Sequence, residues 1–123
     1  MKLMVVDDSN VMRRKISRAV ESIGNVQVVT AGNGLEAIEV FKREAPKIVT
    51  MDITMPEMDG VECVKRLVEL NPKVLILVIS ALSDRSTTLE AMKNGAKGYI
   101  RKPFDDDDLN SQLRKLLSYE VAV

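Results

Sequence analysis

Five residues of this chain have the types that phosphate and metal chemistry needs, and each closes a mostly apolar run. Asp7 and Asp8 follow Leu3-Met4-Val5-Val6, Asp52 follows Ile48-Val49-Thr50-Met51, Ser80 ends the run from Val74, and Lys102 follows Gly98-Tyr99-Ile100-Arg101. An acid at the end of a buried run is costly unless something pairs with it. Three carboxylates with one lysine leave a net negative site, whose self-repulsion raises at least one pKa or recruits a cation. The chain has no histidine and one cysteine, so the available ligands are oxygens. Such a set favours a hard ion such as Mg2+, which keeps several waters and takes phosphate oxygens. A carboxylate beside that ion, with an amine and a hydroxyl donor nearby, is an arrangement for phosphoryl transfer by in-line attack. Taken singly, each residue has a blander reading. A double acid after a strand is a solvated turn or a cap, a strand-end serine caps a helix, and a lysine before proline is surface. Their joint occurrence at strand ends carries the argument.

The elements that must position them alternate. Apolar strands are expected at Leu3–Val6, Val26–Ala31, Ile48–Asp52, Val74–Ser80 and Gly98–Lys102. The first helix is capped by Ser9 or Asn10, carries Met12, Ile16, Ala19, Val20 and Ile23 at helical spacing, and ends at Gly24. Gly32-Asn33-Gly34 opens a second helix with Leu35, Ile38 and Phe41 on one face, and Pro46 closes it. A third runs from Val61 to Leu70 with Val61, Val64, Leu67 and Val68 inward. A fourth runs from Asp84 to Asn94 before Gly95, and a fifth from Asp105 to Ser118 with Leu109, Leu113, Leu116 and Leu117 inward. The acids Asp105 to Asp108 read as a cap, because the helix dipole favours negative charge there. Apolar strands separated by amphipathic helices make one parallel sheet covered on both faces. All its strands then end on one edge, where ligands bind near the reversal of strand order.

Composition narrows the classes. The 123 residues suit one compact domain, and 18 basic residues balance 18 acidic ones. A chain without net charge is a poor nonspecific nucleic-acid binder. One cysteine permits no intramolecular disulfide and fits a reducing, cytoplasmic setting. No signal pattern or membrane-length apolar run is present, so no membrane partner is expected.

The chain resembles the receiver domains of two-component response regulators, and among these the single-domain chemotaxis type. The matching residues are Val5-Val6-Asp7-Asp8-Ser9, Met51-Asp52-Ile53-Thr54-Met55-Pro56 with Asp59-Gly60, Ile79-Ser80-Ala81, Gly95-Ala96 and Lys102-Pro103-Phe104. They span residues 1–123 nearly end to end in the right order. The resemblance implies an α/β flavodoxin-like (βα)5 doubly wound parallel five-stranded sheet; its strand order 2-1-3-4-5 is carried over from the family. It implies that Asp52 takes a phosphoryl group from a phosphohistidine on a partner histidine kinase. Asp8 and Asp52 would bind Mg2+ directly with the backbone carbonyl of Thr54, and Asp7 through water. Lys102 would pair with phosphoryl oxygens, its bond to Pro103 being cis, and Ser80 would donate its hydroxyl. Tyr99 stands at the switch position and would turn inward as Ser80 moves; from spacing alone it is a half-buried strand aromatic. The surface of the fourth helix, fifth strand and fifth helix would bind an output partner such as a flagellar motor switch component, with a phosphatase as a further partner. That surface is mixed, with Arg85, Lys93, Lys97 and Arg101 against Asp84 and Glu90. Such a protein catalyses its own phosphorylation and dephosphorylation but is chiefly a switch. Thr54 and Leu82 occupy the positions that tune phosphoryl lifetime, and Leu82 cannot orient water by hydrogen bonding, so its help to self-dephosphorylation is expected to be weak.

Three rivals stand beside this reading. Gly32-x-Gly34-x-x-Ala37, with Asp52 about twenty residues on, fits a dinucleotide fingerprint, but that motif belongs after the first strand and leaves Asp7, Asp8 and Lys102 unexplained. A capping turn is the simpler account. A Mg2+-dependent aspartyl phosphatase would place a second acid two residues after the nucleophile, where Thr54 stands. The domain could instead belong to a phosphorelay or to a longer DNA-binding regulator; ending directly after the fifth helix, it is expected to stand alone with binding as its output. Cys63 is expected to be core, and Met12 to border the site.

Overall fold

The computed structural model describes residues 1–53, 60–81 and 85–122, with side chains described through Ser118. Strands and helices alternate: β1 (Lys2–Val6), α1 (Asn10–Glu21), β2 (Gln27–Ala31), α2 (Gly34–Glu44), β3 (Ile48–Asp52), α3 (Gly60–Leu70), β4 (Leu75–Ser80), α4 (Arg85–Lys93), β5 (Gly98–Arg101) and α5 (Asp106–Ala122). The five strands form one parallel sheet in the order β2-β1-β3-β4-β5, as expected.

Side-chain alternation divides the core. Leu3 and Val5 of β1 join Ile16, Val20, Leu109 and Leu113 on the face covered by α1 and α5. Met4 and Val6 join Ala37, Phe41, Val64, Leu67 and Ala91 on the face covered by α2, α3 and α4. Strands β3 and β4 are buried along their whole length, which is why they read as mostly apolar runs, with Thr50 the one polar residue inside β3. Their ends are therefore the polar residues that matter.

Several details depart from the sequence expectation: α1 ends at Glu21 rather than at Gly24, and α5 runs on to Ala122 rather than Ser118. Leu35 is 55% exposed, and the inward face of α2 is Ala37, Val40 and Phe41 with Ile38 partly buried. The helix begins at Gly34, and Leu35 lies a step of about 100° to one side of that face. Strand β5 stops at Arg101, so Lys102 sits one residue past it, in the turn to α5. The caps follow expectation. Ser9 caps α1 by accepting from the Met12 amide at 3.2 Å. Asp105 accepts from the Asp108 amide at 2.8 Å while Asp108 accepts from the Asp105 amide at 3.4 Å, a reciprocal capping pair.

Candidate functional site

The carboxyl edge of the sheet carries the ladder slightly beyond the strands. Asp7 N donates to Ala31 O at 3.1 Å and Ile53 N to Ile79 O at 3.2 Å, so the backbone at Asp7 and directly after Asp52 is held to the neighbouring strands. Asp7 is buried and Asp8 exposed, although the two are adjacent. The Ser9 amide donates to Asp7 Oδ1 at 2.9 Å. Asp52 is the last residue of β3 and is buried. Behind it, α3 begins against Ile53. Gly60 N donates to Ile53 O at 3.4 Å, and a Cβ on Gly60 would lie 2.3 Å from Ile53 Cα. Only glycine allows the helix to start that close.

Strand β4 delivers Ser80, buried, beside the end of β3. Lys102 N donates to Ser80 O at 2.8 Å, and Lys102 Nζ reaches within 3.6 Å of Asp52 Oδ2. The turn to α5 is thus tied to β4 while its amine points at the β3 carboxylate. The Lys102–Pro103 bond is cis, as the family resemblance implied. Ser80 Oγ is buried with no hydrogen-bond partner among the described residues.

One carboxylate oxygen each from Asp7, Asp8 and Asp52 lies within 4.8 Å of the others. Burial pushes the Asp7 carboxyl up to about 6. The Ser9 amide opposes that rise, Asp52 and Asp8 add to it by like-charge repulsion, and Lys102 offsets part of it. Asp7 Oδ2 is buried and has no hydrogen-bond partner among the described residues. An all-oxygen acidic set with an orphaned carboxylate oxygen fits a hard divalent cation. The edge therefore brings together four of the expected site residues, Asp7, Asp8, Asp52 and Lys102, with Ser80 adjoining. Tyr99 stands apart, half exposed on β5, with the Arg101 guanidinium 5.9 Å from its ring centroid. Thr54, Leu82 and Asp84 lie outside the described residues.

Two neighbours escaped the reading of the sequence. Arg13 donates to the backbone oxygen of Asp7 at 2.5 Å and also to Asn10 Oδ1. Its signal was its position on the first turn after the cap, where a long donor can fold back on the loop. Lys15 lies over the Phe104 ring at 5.2 Å and donates to Phe104 O at 3.4 Å; nothing in its spacing announced this. The Gly32-Asn33-Gly34 turn is a helix cap closed from both sides. Asn33 accepts from the Glu36 amide at 2.8 Å, and Glu36 accepts from the Gly32 amide at 3.1 Å. That accounts for the glycine pattern without a dinucleotide. Cys63 is buried in the core.

Comparison with known proteins gives the same picture. The family model for the response regulator receiver domain matches residues 3–114. The chain is 38% identical over 115 residues to the chemotaxis protein CheY of Thermotoga maritima, covering 94% of this chain and 96% of that one. It is 39% identical over 110 residues to a protein-glutamate methylesterase/protein-glutamine glutaminase of Rhodospirillum rubrum, covering 89% of this chain but 30% of that protein. The crystal structure of Vibrio cholerae chemotaxis protein CheY4 superposes with a TM-score of 0.86 at 28% identity, covering 94% of this chain and 97% of that one.

Proposed function

The chain belongs to the response regulator receiver family, and from that premise we propose that Asp52 accepts a phosphoryl group from a histidine kinase and thereby switches a binding surface. The observation that supports this best is the convergence of three carboxylates within 4.8 Å, with the Lys102 amine 3.6 Å from Asp52. We take residues 1–123 as one receiver domain, of which the family match covers 3–114.

Asp8 and Asp52 would hold Mg2+ directly with the Thr54 carbonyl, and Asp7 through water. When bound, that cation neutralises acid charge and draws phosphate oxygens to the site. The chain's own residues do the rest. An Asp52 carboxylate oxygen attacks phosphorus, a P–O bond forms, the P–N bond to the donor imidazole breaks, and the nitrogen keeps the electron pair. Lys102 then exchanges its carboxylate contact for phosphoryl oxygens. Ser80 Oγ gains the acceptor it lacks among the described residues. Inward rotation of Tyr99 follows the movement of Ser80 and reshapes the surface of α4, β5 and α5. Hydrolysis of the acyl phosphate resets the state, with Leu82 giving water little help.

The resemblance to stand-alone chemotaxis proteins supports an output by binding in the cytoplasm, to a component such as a flagellar motor switch protein, with a phosphatase as the second partner. A second reading rests on the Rhodospirillum relative, in which a similar segment makes up under a third of the protein. On that reading the domain serves a longer regulator or a phosphorelay, with the same chemistry at Asp52. The test is intact mass after incubation with acetyl phosphate and Mg2+. One added phosphoryl group is expected on the wild type and none on Asp52→Asn; an unmodified wild type, or a modified variant, overturns the assignment. Turnover of a small phosphomonoester would instead favour an aspartyl phosphatase.

A further inference from the structure

One side of α1 borders a groove of about 370 Å3 lined by Asn10, Arg13, Arg14, Ser17, Arg18 and Thr30, with Glu21 as its one acid. These α1 residues recur at i, i+3, i+4 and i+7, so they form one stripe of the helix. Arg14 and Arg18 are exposed, whereas Arg13 is committed to the Asp7 loop. The far wall is β2, the edge strand of the sheet. Gln27 N donates to Met1 O at 2.8 Å and Asp7 N to Ala31 O at 3.1 Å, so Gln27, Val29 and Ala31 turn their backbone groups toward β1. By strand alternation the N–H and C=O of Val28 and Thr30 face outward, where no strand among the described residues pairs with them. The segment Gln27-Val28-Val29-Thr30-Ala31 has two valines and a threonine, no charge and no proline, so it lacks the usual guards of a free edge.

We propose that this edge takes an extended acidic segment of a partner protein as a sixth strand, its carboxylates on Arg14 and Arg18. The spacing suits that occupant. Side chains one helical turn apart stand about 6 Å apart. Alternate residues of an extended chain rise by nearly the same distance, about 6.6 Å. A carboxylate on every second residue therefore meets successive arginines, while main-chain hydrogen bonds to Val28 and Thr30 supply affinity. A second copy of this chain is a poor occupant, because pairing β2 with β2 would bring two arginine stripes together. The surface lies on the opposite edge of the sheet from β5.

The test uses the full chain, labelled with 15N, and a short capped peptide of alternating glutamate and valine. Slowed amide exchange and shift changes at Val28 and Thr30 are expected. Arg14→Glu with Arg18→Glu should weaken binding about tenfold or more. Replacing glutamate by lysine, or valine by proline, in the peptide should abolish it. The inference fails if the peptide does not bind, if the lysine peptide binds as well, or if the shifts lie on α4 and β5. It also fails if inorganic pyrophosphate reproduces the response, or if the protein dimerises through β2 without peptide.

Discussion

Asp7 and Asp8 are adjacent in the chain and opposite in environment, one buried and the other exposed. The sequence shows a symmetric pair; only the fold, by carrying the β1–β2 ladder one residue further to Asp7, decides which of them loses its water. Because burial raises the Asp7 carboxyl from 3.8 to about 6, its charged form is disfavoured in the folded state. The stability this group permits is full below its unfolded value and is lost as pH rises through about 6. In metal-free buffer near pH 7.5, Asp7→Asn should therefore be stabilising, by about 1 kcal/mol or roughly 3–5 °C in Tm. The variant should also lose less stability than the wild type between pH 4 and 7. Millimolar Mg2+ should raise the wild-type Tm and narrow the gap, since binding to the folded state stabilises it. Thermal melts with and without EDTA check all three, and a variant that melts no higher than the wild type without metal contradicts the electrostatic account. Arg13 belongs to the same scale. Apolar periodicity reports the buried face of a helix and is silent about its polar face, so a backbone-directed guanidinium cannot be read from it.

At the scale of elements, much was legible because the chemistry sits where apolar runs stop. Strands β3 and β4 are buried on both faces, and Asp52 and Ser80 stand out against them. Leu35 misled because a single leucine near a helix start says little about phase; Gly34, Ala37 and Phe41 set the inward face instead. Lys102 reads as a strand residue but lies in the turn, held by the hydrogen bond its backbone N–H donates to Ser80 O. The closeness of α3 to β3 was legible only as a glycine, and its reason is the contact with Ile53. Gly60→Ala should cost about 1–3 kcal/mol in denaturant unfolding, because the added Cβ must displace backbone next to Asp52. A midpoint equal to the wild type would show that the helix start yields freely. Asp105→Ala should cost about 1 kcal/mol through the lost α5 cap. It should leave phosphorylation at Asp52 intact; an unchanged stability would place the helix start elsewhere.

For the whole molecule, the proposed switch assigns different tasks to two places on one sheet. The carboxyl edge gathers Asp7, Asp8, Asp52, Ser80 and Lys102, while β5 at the far side holds Tyr99 half exposed. The proposed switch links these places through the Ser80–Lys102 turn. Phosphorylation should therefore bury the Tyr99 ring, read as changed ring-proton shifts and reduced access to a soluble quencher; a ring unaffected by phosphorylation would separate the chemistry from the output surface. The family and sheet were readable from motifs spread along the chain, whereas the output partner was not, because the surface of α4, β5 and α5 mixes both charges. The central claim is that Asp52, and neither neighbouring acid, carries the phosphoryl group. Its most direct test is borohydride trapping after acetyl phosphate and Mg2+, which reduces an acyl phosphate to homoserine with release of phosphate. Peptide mapping should find homoserine at Asp52 alone; homoserine at Asp7 or Asp8, or at no position, would contradict the account.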